Sequence, residues 1–118
     1  MGLSDPGQTH VLQTGDGPVR LDEHGHLVNA GDWTEAVANA LAQRDAVLLD
    51  DGHWWLIRFV REYHLRYDNP PLMRTLVAEL KAAGRSGDGS RYLYRLFPDG
   101  PVRLACKYGG LPKPDWCL

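Results

Sequence analysis

Long apolar runs are missing from this 118-residue chain; none approaches the roughly 18 residues of a membrane span. Its start, Met1-Gly-Leu-Ser-Asp-Pro6, has no basic stretch followed by an apolar one, so no secretory signal is read and a cytoplasmic location is expected. Cysteine is scarce. Two residues cannot build a disulfide scaffold, and they are too few for a structural zinc site unless histidines join them. The five histidines, at 10, 24, 26, 53 and 64, show neither Cys-His nor HExxH spacing, so no metal is expected. His24 and His26 are expected on one solvated strand face, because strand side chains alternate. Excess positive charge is absent as well: the net charge of −2 argues against a nucleic-acid surface as the main business of the chain.

What is present is an ordinary globular composition, 43% hydrophobic and 24% charged, at the length of one domain able to bury a core. Charge is spread unevenly. Residues 1–80 hold six Lys and Arg against twelve Asp and Glu, and residues 81–118 hold seven against three. The basic final third can steer an acidic partner or serve as a solvated face.

Short strands are predicted first: 10–13, 18–21 and 26–28, with turns at Gly15-Asp16-Gly17 and Glu23-His24-Gly25. Helical periodicity follows. Asp32-Trp-Thr-Glu35 reads as a capping box opening a helix to about Arg44. Asp50-Asp51 opens a second, with an apolar stripe of Leu56, Phe59, Val60, Tyr63 and Tyr67, and with one of Trp54 and Trp55 in the core and the other at its rim. Asn69 is read as N-cap and Pro70 as first residue of a third helix burying Leu72, Leu76, Val77 and Leu80. Arg91–Phe97 and Pro101–Tyr108 make two more, the last broken by Gly109-Gly110. The expected fold is α+β, a small N-terminal antiparallel β-meander packed on about five helices. It is one domain over 1–118, with 1–17 partly disordered and 109–118 a mobile arm.

Both cysteines lie in the last thirteen residues, Cys106-Lys-Tyr-Gly-Gly-Leu-Pro-Lys-Pro-Asp-Trp-Cys117-Leu118. Cys106 shares a helix face with Val102 and reads most simply as a small buried hydrophobe. Cys117 is penultimate, beyond a Gly109-Gly110 hinge and a Pro112-x-Pro114 spacer. An exposed thiol there invites oxidation and exchange, so its sharper reading is a nucleophile or persulfide carrier. The eleven steps from Cys106 span roughly 35 Å when extended. Folded back, the same segment can bring the two thiols to disulfide range. Asp115 and the terminal carboxylate disfavour the thiolate, so activation is expected from a partner.

Arg91-Tyr-Leu-Tyr-Arg-Leu-Phe-Pro98, Gly100-Pro101, Ala105-Cys106-Lys107 and Gly110-Leu-Pro-Lys-Pro114 before Cys117 resemble the C-terminal signature of the DsrC/TusE family of sulfur-relay proteins. Gly31-Asp-Trp33, His53-Trp54 and Arg58-Phe-Val-Arg-Glu-Tyr63 extend the likeness upstream. The resemblance implies a β-meander on a helical array with a mobile C-terminal arm, no cofactor, and Cys117 as the sulfur-accepting residue. TusE-like members take sulfur from a TusBCD-type complex and pass it toward the thiouridylase MnmA for tRNA wobble-uridine 2-thiolation, needing only the penultimate cysteine. DsrC-like members use a second cysteine, here Cys106, in a trisulfide with dissimilatory sulfite reductase as partner. Asp115-Trp116 replaces the small residues common before the final cysteine; the Trp116 ring is a sizeable group for a narrow siroheme channel and equally one that can anchor the arm in a partner's pocket. The tRNA-thiolation relay is the preferred expectation. Arg91, Arg95, Lys107, Lys113 and Trp116 are candidate partner contacts.

Rival readings come from other classes. Helices 51–67 and 70–83 can be drawn as a helix-turn-helix, but the second offers only Arg74 and Lys81 against Glu79 for phosphate contacts. A purely structural subunit would not need Cys117. No acid, base and nucleophile set for a self-contained enzyme is evident, so the chain is a sulfurtransferase only in the broad sense of a carrier acting with partners.

Overall fold

Two hairpin strands open the fold in a computed structural model that describes residues 10–85 and 89–115. Strand β1 (His10–Thr14) pairs antiparallel with β2 (Gly17–Leu21), from His10 opposite Leu21 to Thr14 opposite Gly17. Gly15 and Asp16 make the turn, and Gly17 leaves it at φ +109°, a conformation glycine adopts without strain. Within the stretch 1–17 expected to be partly disordered, residues 10–17 belong to this hairpin. The third predicted strand shrinks to one bridge, Leu21 opposite Leu27. The Asp22 carboxylate explains this: it accepts from the backbone N–H of His24 and of His26 (2.8 and 3.0 Å), curling the chain before it can run on as a strand.

Among the described residues five α-helices follow: α1 (Glu35–Arg44), α2 (Asp51–Tyr67), α3 (Met73–Ala82), α4 (Ser90–Leu96) and α5 (Pro101–Tyr108). Their count and order match the reading of the sequence, but two starts are corrected. The N-cap of α1 is Thr34, whose hydroxyl accepts from Val37 N–H, while Asp32 ends a short 3-10 turn over Ala30–Asp32. Helix α3 begins at Met73 rather than Pro70, with Leu72 half-exposed at its N-cap. Pro70-Pro71 stiffens the residues before each proline toward extended backbone, which delays the helix.

The buried face of α2 is also turned from the expected stripe. Gly52, His53, Leu56, Ile57 and Val60 are buried, whereas Phe59 and Tyr63 are half-buried and Tyr67 is exposed. Trp54 and Trp55 are both half-buried, so neither is the core residue expected. The aromatic residues instead form a rim ladder, Trp55 stacked on Phe59 (5.8 Å between ring centres) and continuing through Tyr63 to Tyr67. In the core, Leu21, Val37, Leu41, Leu56, Ile57, Leu76, Leu93 and Cys106 are fully buried. Among the described residues no helix is long and apolar enough to cross a membrane.

Candidate functional site at the root of the C-terminal segment

Helix α5 carries Cys106 into the core, on the face with Val102 and Ala105. The helix stops where Gly110 takes a left-handed conformation (φ +75°). Leu111 N–H then bonds back to Cys106 C=O at 2.9 Å and Gly110 N–H to Lys107 C=O at 3.3 Å, the paired bonds of a Schellman stop. Gly110 has no side-chain room: a Cβ would lie 2.6 Å from the Trp33 ring. Leu111 is fully buried beyond it, as is Cys106.

Three side chains from distant parts of the chain hold the carbonyls around this stop. Trp33 Nε1–H donates to Tyr108 C=O (2.7 Å), Arg61 to Gly109 C=O (2.8 Å), and His26 Nδ1–H to Leu111 C=O (2.9 Å). Each donor is set by local structure. The Asp22 turn presents His26. Asn29, accepting from Gly31 N–H, starts the 3-10 turn that delivers Trp33. The middle of α2 carries Arg61, whose guanidinium stacks on the Trp33 ring at 4.5 Å and also reaches Ala30 C=O. Burial lowers the affinity of Arg61 for its proton, although an arginine stays charged at any physiological pH. Burial, the largest influence on His26, likewise pulls it below its ordinary value, against the opposing pull of the Leu111 carbonyl and Asp22. His24 is exposed and His26 buried, so the shared solvated face expected for them does not form.

A second polar knot engages side chains of α5. Asp45, at the C-terminal cap of α1, accepts from Lys107 Nζ and Tyr108 Oη, both at 2.8 Å. Burial pushes Asp45 upward most strongly, but the bonds from Lys107 and Tyr108 and the charges of Lys107 and Arg44 together hold it below the usual carboxylate range. Burial and the Asp45 carboxylate raise the Tyr108 phenol well above its ordinary value. At the far end of the core, His53 Nε2–H donates to Leu96 C=O (2.8 Å) and its ring meets Phe97 edge-on, and Phe97 stacks on Tyr108.

The candidate partner contacts therefore divide. Lys107 is bonded to Asp45, with its side chain 13% exposed. Arg91 is exposed on α4, and Arg95, also exposed, lies over the Tyr92 ring. Lys113 is half-buried beside a cleft of about 250 Å³ formed with His64, Asp68, Asn69 and Pro70. Gly109, Gly110 and Pro114 are buried and Pro112 is exposed. The segment through Pro114 thus lies packed on the body rather than extended from it. Trp116 and Cys117 fall outside the described residues.

The sequence reading put His26 on a solvated strand face and gave no role to Asp45; it set Trp33 in a capping box and, with His53 and Arg61, within stretches of family likeness. The Asp22-Glu-His-Gly25 turn signal could have exposed His26 as the residue following a tight turn. An aspartate just past the end of a helix carries no comparable signal.

The family model described as "DsrC like protein" matches residues 13–118. The chain belongs to the DsrC-like family. It is 45% identical over 101 residues to a protein named Sulfurtransferase TusE from Sodalis glossinidius, spanning 85% of this chain and 94% of that one. Among solved structures it resembles DsrC of Allochromatium vinosum (38% identity, TM-score 0.82, 94% of this chain and 100% of the other). It also resembles the oxidized gamma-subunit of the dissimilatory sulfite reductase (DsrC) from Archaeoglobus fulgidus (38% identity, TM-score 0.83, 92% and 100%). The DsrC-like fold expected from the C-terminal signature is the one observed.

Proposed function

We propose that this protein is a sulfur-relay carrier that accepts a persulfide sulfur on Cys117 and passes it to a partner, in the TusE-like manner. One observation carries the reading: the family match runs through the chain end and so includes Cys117, while the other thiol, Cys106, is buried at the core end of α5. Burial of Cys106 suits a relay that uses Cys117 as its one acceptor. In the loading step the Cys117 thiolate attacks the outer sulfur of a donor persulfide. The donor's S–S bond breaks, its cysteine leaves as thiolate, and Cys117 holds the new S–S bond with no net oxidation. Delivery repeats the exchange with Cys117 as leaving group. We assign the donor to a TusBCD-type complex and the acceptor to a tRNA thiouridylase of the MnmA kind. The similarity to proteins named TusE supports this, at a higher identity than the DsrC structures.

Presence of Cys106 favours the second reading, a Cys106–Cys117 trisulfide made with dissimilatory sulfite reductase. That chemistry requires the fully buried Cys106 thiol to become accessible. Incubation with a persulfidated donor followed by intact mass measurement tests the relay: Cys117 should gain about 32 daltons, one sulfur atom. The Cys117→Ala protein should gain nothing, and an equal gain in that variant would refute the assignment.

A further inference from the structure

We infer that the aromatic ridge on α2 is a docking surface for a helix of a partner protein, one that carries arginine on the face it presents. The inference takes only its candidate partners, the sulfur donor and the sulfur acceptor, from the relay reading above.

Trp55, Phe59, Tyr63 and Tyr67 recur at every fourth residue, so they form one ridge that winds about 40° around the helix at each step. Their rings follow one another at 5.8, 6.0 and 4.6 Å between centres. The ridge leaves the body as it climbs: the first three residues are half-buried and Tyr67 is 55% exposed. Two clefts of about 610 and 330 Å³ flank it, and they share Phe59 and Glu62. They therefore make one trough, walled in its second part by Thr75 and Glu79 of α3. A row of i, i+4 side chains is what interlocks with the same rows of a second helix, and exposed aromatic side chains are the usual anchors of an interface. The ridge ends at Tyr67, beside the Asp68 cleft that residues 112–115 line. A docked helix thus lies against the same end of α2 as the C-terminal segment.

Charge narrows the occupant. Arginines of this chain already cover neighbouring rings: Arg58 lies 5.3 Å from the Trp54 ring and Arg85 lies 5.4 Å from that of Trp55. Among the described residues no cation covers Phe59, Tyr63 or Tyr67. Two carboxylates, Glu62 and Glu79, line that stretch, and neither has an ion-pair partner among the described residues. Arg58, one turn before Glu62, is bonded to Glu35 instead. Arg66, one turn after it, sets one guanidinium against the two carboxylates of the cleft. An incoming guanidinium meets aromatic faces and carboxylates together, a setting that suits arginine. A second copy of this chain does not fill the site. Its exposed basic helix is α4, with Arg91 and Arg95, and seven residues span about 10 Å, against about 18 Å from Trp55 to Tyr67.

The test uses the full-length chain with Tyr67→p-benzoylphenylalanine, a photoreactive side chain. It is offered a TusBCD-type complex and, separately, a thiouridylase of the MnmA kind. Illumination should link it to a helix of one of these proteins, at a residue within one turn of an arginine. Binding of that protein to the unlabelled chain is then measured by calorimetry. Glu62→Arg and Tyr67→Ala should each weaken it about tenfold, with thermal unfolding close to wild type because both side chains are exposed. Changing the partner's arginine to glutamate should weaken binding of wild type and restore that of Glu62→Arg, which damage to the fold would not do. A link only to a second copy or to a segment without arginine overturns the inference. So does wild-type affinity in both variants, failure of the restoration, or no binding of wild type to either protein. Sulfur loading of Cys117 by glutathione persulfide, read by intact mass, should be alike in all forms. If wild type takes no sulfur while the docking results hold, the carrier reading falls and the docking surface stands.

Discussion

His26 Nδ1 lies 2.9 Å from the carbonyl oxygen of Leu111, joining the turn after the hairpin to the chain just past α5. Because burial holds His26 below its ordinary proton affinity, the unfolded chain takes up the proton first as pH falls. The stabilisation is therefore complete above about pH 6.5, the unfolded value, and is lost as pH drops below it toward the folded one. Urea unfolding midpoints at pH 7.5 and 5.5 should show wild type losing more stability on acidification than His26→Asn, which keeps an N–H donor without titrating. Equal losses in the two proteins would remove His26 as the cause.

Asp45 is the common acceptor for Lys107 and Tyr108. Asp45→Asn should cost roughly 2 kcal/mol, because it leaves a mostly buried ammonium without its countercharge. The check is urea unfolding at neutral pH. The Asp45 carboxyl is held low in the folded state, so its contribution is present above about pH 3.9, the unfolded value, and is lost as pH falls through the folded one. The difference between wild type and Asp45→Asn should shrink accordingly near pH 3.

Two left-handed positions should respond in opposite senses. Gly110→Ala combines a φ of +75° with a clash on the Trp33 ring, and should destabilise by about 2 kcal/mol or more. Ala46 sits at the equivalent place after α1, at φ +58°, with Val47 N–H bonded back to Ala42 C=O. Ala46→Gly relieves that strain and should raise stability by about 0.5 kcal/mol. Thermal unfolding of both variants checks the signs.

Cys106→Ser puts a hydroxyl at a fully buried position, at a cost of about 1–2 kcal/mol. In a single-thiol relay this variant should still load sulfur on Cys117 and deliver it to the acceptor. Loading without reductive release would instead favour the trisulfide reading. Mass measurement before and after reductant separates the two.

Much of the fold was legible because its signals are local. Pro101 at the first turn and Gly109-Gly110 after the last fixed α5 almost to the residue, and Asp50 announced α2 through its own side chain. The start of α3 was misplaced because the steric effect of paired prolines reaches back along the chain and competes with their suitability for a first turn. The face of α2 was misjudged because Phe59, Tyr63 and Tyr67 satisfy helical spacing equally well on a rim as in a core.

Chain order alone determined the helix count, the α+β class, the penultimate thiol and the family that carries it. Only the packed molecule decided that Lys107 belongs to Asp45, that His26 is buried while His24 is not, and that the glycines after α5 are gripped by Trp33 and Arg61. These pairings join residues 48 to 85 positions apart. No local propensity encodes such distances, because they arise only when helices and hairpin close on one another and each buried carbonyl or charge takes whichever donor the packing brings within reach.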